Sequence, residues 1–246
     1  MKVSATDLKN NLGKYLRECQ KQDIIITSNG NKAARLSAYE EYSIDSPKIN
    51  YIGRISEYME AFKDGPKKVS YEQFRELTEG NEERFEYIDG EVYLLTAPTV
   101  KHQKVLGELY IFFYNFFKGK KCIPMLSPFD VTLRKFPEDI NVVEPDLVVV
   151  CDMEENLNEK DYYMGVPVLV LEILSRSTKR IDLIKKMNLY MASGVKEYWV
   201  VDPDDKEITI YFFKDKDIKG KKTYRGNEKA RSKLFADLSF IVEDIF

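Results

Sequence analysis

Residues 145–150 read Pro-Asp-Leu-Val-Val-Val, and residues 168–174 read Val-Leu-Val-Leu-Glu-Ile-Leu. Both runs are short and almost wholly apolar, the pattern of strands covered on both faces. Each carries one carboxylate: Asp146 opens the first, and Glu172 lies near the end of the second. If the two pair as antiparallel neighbours with Val150 opposite Val168, then Asp146 falls opposite Glu172. Directly opposed residues point to one face, about 5 Å apart at Cβ. Two bare carboxylates there would repel until one took up a proton, and a divalent cation held between them removes that conflict. The plainer reading makes Asp146 a strand-start residue and Glu172 the partner of a lysine. A buried glutamate inside an apolar strand is rare, which keeps the metal reading in play.

Cations follow these strands. Lys185 and Lys186 fall on the next predicted helix, which starts at Ser177 or Thr178 and stops before Gly194. From there a lysine can stabilise charge on a phosphate or orient a water, although a solvated helix face is the commoner fate of lysine. Arg176, Lys179 and Arg180 crowd the start of the same helix, where the helix dipole disfavours cations. An external anion such as DNA phosphate would account for them. His102, the only histidine, sits in the first turn of a helix capped by Thr99 and running to about Lys118, with Val105, Leu109, Phe112 and Phe116 on its buried face. A lone histidine more often caps or packs than reacts, but this one stands beside a possible cleft. Glu86 lies in a hairpin, 85–95, that turns at Asp89-Gly90. Further strands are expected at 125–134, 197–202 and 208–213, and a helix at 71–78.

Composition narrows the classes. The 246 residues are 43% apolar and 32% charged, enough for a packed core. The richest apolar run, Leu109–Phe117, falls well short of the roughly 18 residues of a membrane span, and the first residues lack an apolar signal core, so a cytoplasmic protein without membrane contact is expected. Cys19, Cys122 and Cys151 form no Cys-x-x-Cys pair. A zinc site therefore lacks ligands, a disulfide framework is not expected, and any catalytic metal must rest on oxygen, which favours magnesium or manganese. The net charge of −3 argues against coating nucleic acid by bulk charge. Through residue 36, however, seven lysines and arginines oppose three acids, which sets a basic first segment against an acidic remainder.

That first segment opens with Ser4, a good helix N-cap, followed by Leu8, Leu12, Tyr15, Leu16 and Cys19 at helical spacing. A strand at 24–27, a turn at Asn29-Gly30-Asn31 and a return strand at 33–37 follow. So short a unit buries little surface alone, and a homodimer is the simplest remedy. Its residues Val3-Ser4-Ala5-Thr6-Asp7-Leu8-Lys9-Asn10-Asn11-Leu12-Gly13 and Ile24-Ile25-Ile26-Thr27-Ser28-Asn29-Gly30 resemble the Phd/YefM antitoxin family. The resemblance implies a dimeric module whose N-terminal helix region binds operator DNA, and it draws attention to Lys2, Lys9 and Lys14. The toxin-wrapping tail of that family is replaced by a second domain, so a toxin partner is only a secondary expectation.

The remainder carries Glu86-Tyr87-Ile88-Asp89-Gly90-Glu91, Ala97-Pro98-Thr99 with His102-Gln103, Ser127-Pro128-Phe129-Asp130-Val131, Pro145-Asp146-Leu147, Leu171-Glu172-Ile173-Leu174-Ser175 and Gly194-Val195-Lys196-Glu197-Tyr198-Trp199. In this order the motifs resemble the Uma-type family of bacterial restriction endonucleases, which belongs to the PD-(D/E)xK nuclease fold. The resemblance implies an α/β (α+β) restriction-endonuclease-like core, with a mixed central sheet flanked by helices, and a Mg2+- or Mn2+-dependent DNA phosphodiesterase. Pro145-Asp146 would be the PD and Glu172 the acid of the second half, with the carbonyl of Ile173 as a further metal ligand. Leu174 stands where the motif has lysine. The fold can supply that lysine from the next helix, where Lys186 matches better than Lys185. His102 and Glu86 map onto extra polar positions of the family's site.

The expected organisation is therefore an αββ module over residues 1–45, a linker over 46–68 with a short helix at 55–62, and a nuclease-like domain over 69–246. A rival from another class is a non-catalytic DNA-binding regulator or antitoxin.

Overall fold

The computed structural model describes residues 1–11, 14–15, 18–19, 24–28, 31–36, 68–81, 83–175, 179 and 181–246. The chain divides into two compact units, Met1–Gly53 and Arg54–Phe246. The expected linker helix at 55–62, Leu12, Leu16 and the Asn29-Gly30 turn lie outside the described residues.

In the first unit, β1 (Lys2–Ser4) lies parallel to β2 (Ile24–Ser28), and β2 pairs antiparallel with β3 (Asn31–Leu36). Between β1 and β2 comes α1 (Ala5–Asn10), whose first turn is closed by Ser4 Oγ accepting the Asp7 amide at 3.0 Å. Val3, Tyr15, Cys19 and Ile24 form its small buried cluster. Strand β1 adds to the expected αββ order; three residues are too few for an alternation to be read.

The second unit starts with α2 (Tyr71–Thr78), held by a reciprocal Ser70–Gln73 capping box. Next come β4 (Phe85–Ile88) and β5 (Glu91–Leu94), joined by Asp89 and Gly90 with φ of 55° and 84°. This left-handed pair is what the Asp-Gly signal demands. The long helix α3 (Val100–Phe117) takes Thr99 as its cap. Strands β6 (Ile123–Leu126), β7 (Val131–Leu133), β8 (Asn141–Val143), β9 (Leu147–Val150) and β10 (Leu169–Ile173) follow. A wide turn of π-helix at Ile181–Lys186 runs into α4 (Met187–Ser193), which Gly194 ends at φ 104°. The chain closes with β11 (Glu197–Asp202), β12 (Glu207–Lys214), β13 (Asp217–Arg225), β14 (Lys229–Arg231) and β15 (Ser239–Ile241).

Among the described residues, six strands form the central sheet in the order β13-β12-β11-β10-β9-β6. It is mixed: β10 and β11 run parallel, and the other neighbours antiparallel. A second, antiparallel sheet runs β5-β4-β8-β7. Alternation divides the core. Leu147, Val149, Leu169, Leu171 and Ile173 join α3 and the C-terminal residues on one face, while Val148, Val150 and Val170 join α4 and the second sheet on the other.

Four expectations are corrected. The single strand at 125–134 is two strands in different sheets, divided around Pro128, which lacks the amide a continuous ladder needs. The buried face of α3 is turned: Phe113 and Phe117 are fully covered, while Phe112 and Phe116 only flank the core. Strands β8, β13, β14 and β15 carry too weak a pattern to have been read. Finally, Cys122 and Cys151 form a disulfide. The β6–β9 ladder sets Ile123 against Val150, so the cysteines just beyond that rung meet despite lying 29 residues apart.

Candidate active site

The site starts from the β9–β10 ladder. Leu171 pairs with Leu147, Val170 with Val148 and Leu169 with Val149, which is the expected register. Asp146 stands one residue beyond the last rung, where no backbone pair completes the ladder. Its Oδ2 accepts the backbone N–H of Ile173 at 2.7 Å and lies 3.2 Å from His102 Nε2. One carboxylate oxygen thus ties the start of β9 to the end of β10 and to the first turn of α3. The second nitrogen of His102, Nδ1, is buried without a hydrogen-bond partner among the described residues.

Glu172, buried by the strands on either side, accepts from Lys186 Nζ at 2.9 Å and from the Tyr190 hydroxyl at 2.6 Å, both on the same oxygen. Lys186 comes from the wide turn and is itself buried. Its ammonium also lies 2.7 Å from Glu86 on β4 and 3.6 Å from Asp182. Glu86 accepts the Glu144 amide at 3.0 Å, and Glu144 pairs with Arg84 at 2.9 Å. All of these except Tyr190 line one cleft of about 1300 Å3, and among the described lining residues acids outnumber lysines and arginines by six to three.

Burial pushes the Glu172 carboxyl well above its usual range. Lys186 opposes that shift, while Asp182, Asp146 and Glu86 add to it. Burial alone would lower Lys186, but Glu172, Glu86 and Asp182 hold it well above the usual lysine value, so it stays charged. For His102, burial again works downward, and the bond and charge of Asp146 outweigh it, which favours the imidazolium.

Among the described residues, no three histidine, cysteine, aspartate or glutamate side chains form a ready-made metal cage. Magnesium does not require one: it keeps several waters and takes one or two carboxylates, completing its shell with substrate phosphate. Asp146 and Glu172 flanking Ile173, in a cleft with surplus negative charge, fit that demand.

Other expected residues lie apart. Lys185 turns to the β4–β5 hairpin, paired with Glu91 and 2.7 Å from the Tyr93 hydroxyl. Lys179 donates to Asp202 at 2.7 Å, and Arg176 and Arg180 lie outside the described residues. Lys2, Lys9 and Lys14 are exposed in the first unit. Leu174, at the motif's lysine position, packs into the core on the α4 side.

Residues 71–243 match the Uma2 family, described as "Putative restriction endonuclease". The chain belongs to this family. The Uma2 match covers most of the second unit, and residues 1–43 separately match the Phd/YefM antitoxins of type II toxin-antitoxin systems. An uncharacterized protein of Synechocystis sp. is 27% identical over 180 residues, covering 73% of this chain and 92% of that protein. A crystal structure of a "putative nuclease belonging to DUF820" from Anabaena variabilis superposes with a TM-score of 0.60 at 19% identity, covering 72% of this chain and 97% of that one. The likeness establishes the fold of the Uma2 unit as restriction-endonuclease-like.

Sequence reading of the Uma2 unit missed Asp182, Tyr190 and the Arg84–Glu144 pair. Asp182, Lys186 and Tyr190 recur every fourth residue, a helical series that places all three on one face. That spacing was the available signal.

Proposed function

We propose that the second unit is a divalent-metal-dependent endonuclease that hydrolyses DNA phosphodiester bonds. The observation that carries this reading is the meeting of Asp146, Glu172 and Lys186 in one cleft, although they come from two strands and the turn beyond them. Magnesium or manganese would be held by Asp146, Glu172 and the carbonyl of Ile173, and would supply charge neutralisation at the scissile phosphate. Lys186 would balance the charge that builds on the phosphoryl oxygens and orient the attacking water for in-line displacement of the ribose oxygen. His102 would fix the Asp146 carboxylate, and Glu86 would hold Lys186 in reach. We further assign to residues 1–45 a dimerising, DNA-binding role, with Lys2, Lys9 and Lys14 on phosphate and residues 46–68 as the linker.

The test is nicking of supercoiled DNA with magnesium or manganese. Wild type should nick, and Asp146→Ala and Glu172→Ala should not; nicking that survives both substitutions excludes this site. A second reading, a non-catalytic DNA-binding regulator or antitoxin, draws on the match over residues 1–43. Specific retardation of the gene's own upstream DNA, with no metal uptake in calorimetry, would favour it.

A further inference from the structure

Among the described residues, acids dominate the lining of the cleft, and the whole chain is net negative, so that lining offers a polyanion little attraction of its own. Cations gather elsewhere in the second unit. Between Lys214 and Lys233, nine lysines and arginines face three acids. Strand β13 is the edge of the central sheet, and the β14–β15 hairpin follows it in the chain. Register and ring contacts bring several of these cations together. Lys222 lies opposite Ile210 with its ammonium 4.5 Å from the Tyr224 ring centre, and the Tyr224 hydroxyl meets the Arg231 backbone. Gly220 lies opposite Phe212, and a Cβ at Gly220 would stand 2.8 Å from the Lys233 ammonium, which itself sits 5.2 Å from the Phe212 ring centre. On β14, Lys229 and Arg231 are exposed on either side of the buried Ala230.

Lys222, Lys229, Arg231 and Lys233 are all exposed, and none has a carboxylate within ion-pair distance among the described residues. Lysines do guard edge strands against pairing with other chains. One or two suffice for that, and Lys229, Arg231 and Lys233 lie beyond the edge strand. Four uncompensated cations, two of them (Lys222 and Lys233) seated over aromatic rings, make a phosphate-binding surface whose attraction is electrostatic and independent of sequence.

We infer that this basic face, formed by β13 and the β14–β15 hairpin, binds the phosphate backbone of duplex DNA and supplies affinity that the acidic cleft cannot. The choice of DNA as the polyanion rests on the nuclease reading above.

The experiment uses the full chain in EDTA, so that binding is separated from cutting, and follows the anisotropy of a labelled duplex across a salt series. The triple variant Lys222→Gln/Arg231→Gln/Lys233→Gln is compared with wild type and with Lys2→Gln/Lys9→Gln/Lys14→Gln. Each lost phosphate contact should flatten the plot of log affinity against log salt by about 0.9. The triple variant should therefore lose roughly 2–3 units of slope and bind on the order of tenfold or more weakly at moderate salt, with circular dichroism and melting unchanged. Lys222→Gln and Lys229→Gln, made singly, should each remove about one contact, which covers the case of a triple variant that misfolds. Wild-type slope and affinity in the β13 variants overturn the inference. So does self-association on neutralisation with DNA binding intact, and so does capture of anionic vesicles without DNA binding. A wild type that never cuts with metal, yet loses DNA binding in the triple variant, refutes the nuclease reading and supports this surface.

Discussion

The Lys186 ammonium lies 2.9 Å from Glu172 Oε1, although the lysine stands fourteen residues beyond the glutamate, outside its strand. Both are buried, and Glu86 and Asp182 share the same cation. Removing that cation strands three acids. Lys186→Met should cost about 3–5 kcal/mol in urea unfolding and abolish nicking. Adding Glu172→Gln should recover part of the stability and none of the activity. A Lys186→Met protein as stable as wild type would refute the network.

Leu174 occupies the strand position where the motif has lysine, and it is 9% exposed within the core. Leu174→Lys in the Lys186→Met background should not restore nicking. It should also destabilise further, since the longer, charged side chain replaces one that packs in the apolar cluster on the α4 side. Restored cleavage would show that the strand position still serves.

The acidic cleft should take up a divalent cation and so gain stability. Magnesium or manganese should raise the melting temperature of wild type; saturation at 100 times the dissociation constant corresponds to about 2.7 kcal/mol. Asp146→Ala and Glu172→Ala should show little or no rise. An equal rise in all three proteins, followed by differential scanning fluorimetry, would place the ion elsewhere.

Glu91 links the hairpin to the wide turn through Lys185 and Tyr93. Burial works to raise its carboxyl, but the bonds to Lys185 and Tyr93 leave it below the usual 4.5. A depressed folded value contributes stability above the unfolded value, and that contribution is lost as pH falls through the folded one. The stability gap between wild type and Glu91→Gln should therefore be full at neutral pH and close in acid below about 4.5. A gap that stays constant across that range in denaturant titrations would refute the pairing.

Phe113 meets Trp199 edge-on, with ring centres 5.5 Å apart at 76°. Phe113→Ala should cost about 3–5 kcal/mol and Phe112→Ala distinctly less. Equal losses would put the helix back on the face that periodicity alone suggested.

The buried strand pair was legible because two short, almost wholly apolar runs mark strands covered on both faces; the register assumed for them, with Val150 opposite Val168, agrees with the ladder from Leu169↔Val149 to Leu171↔Leu147. Asp89-Gly90 and Gly194 were legible because their backbone conformations demand such residues. What escaped depended on long-range packing. Phe112 and Phe113 differ by only 100° around a helix, and which one is covered depends on Trp199 and Phe240. Strand β13 is charged because it is an edge, so it lacks the apolar alternation of a half-buried strand. Asp182 escaped because its place in the site depends on a buried Lys186, whose ammonium it shares with Glu86 of the second sheet.

The parallel pairing of β10 with β11 has an architectural corollary. Parallel neighbours require a crossover, and here it includes the wide turn and α4. Glu172, Asp182, Lys186 and Tyr190 therefore travel together on one contiguous stretch of 19 residues, whereas Glu86, His102 and Asp146 are contributed by three other segments. A chimera that exchanges only this stretch would transplant the acid with its counter-ion but leave behind half of the cleft, so a functional swap must carry the hairpin, the cap of α3 and the start of β9 as well.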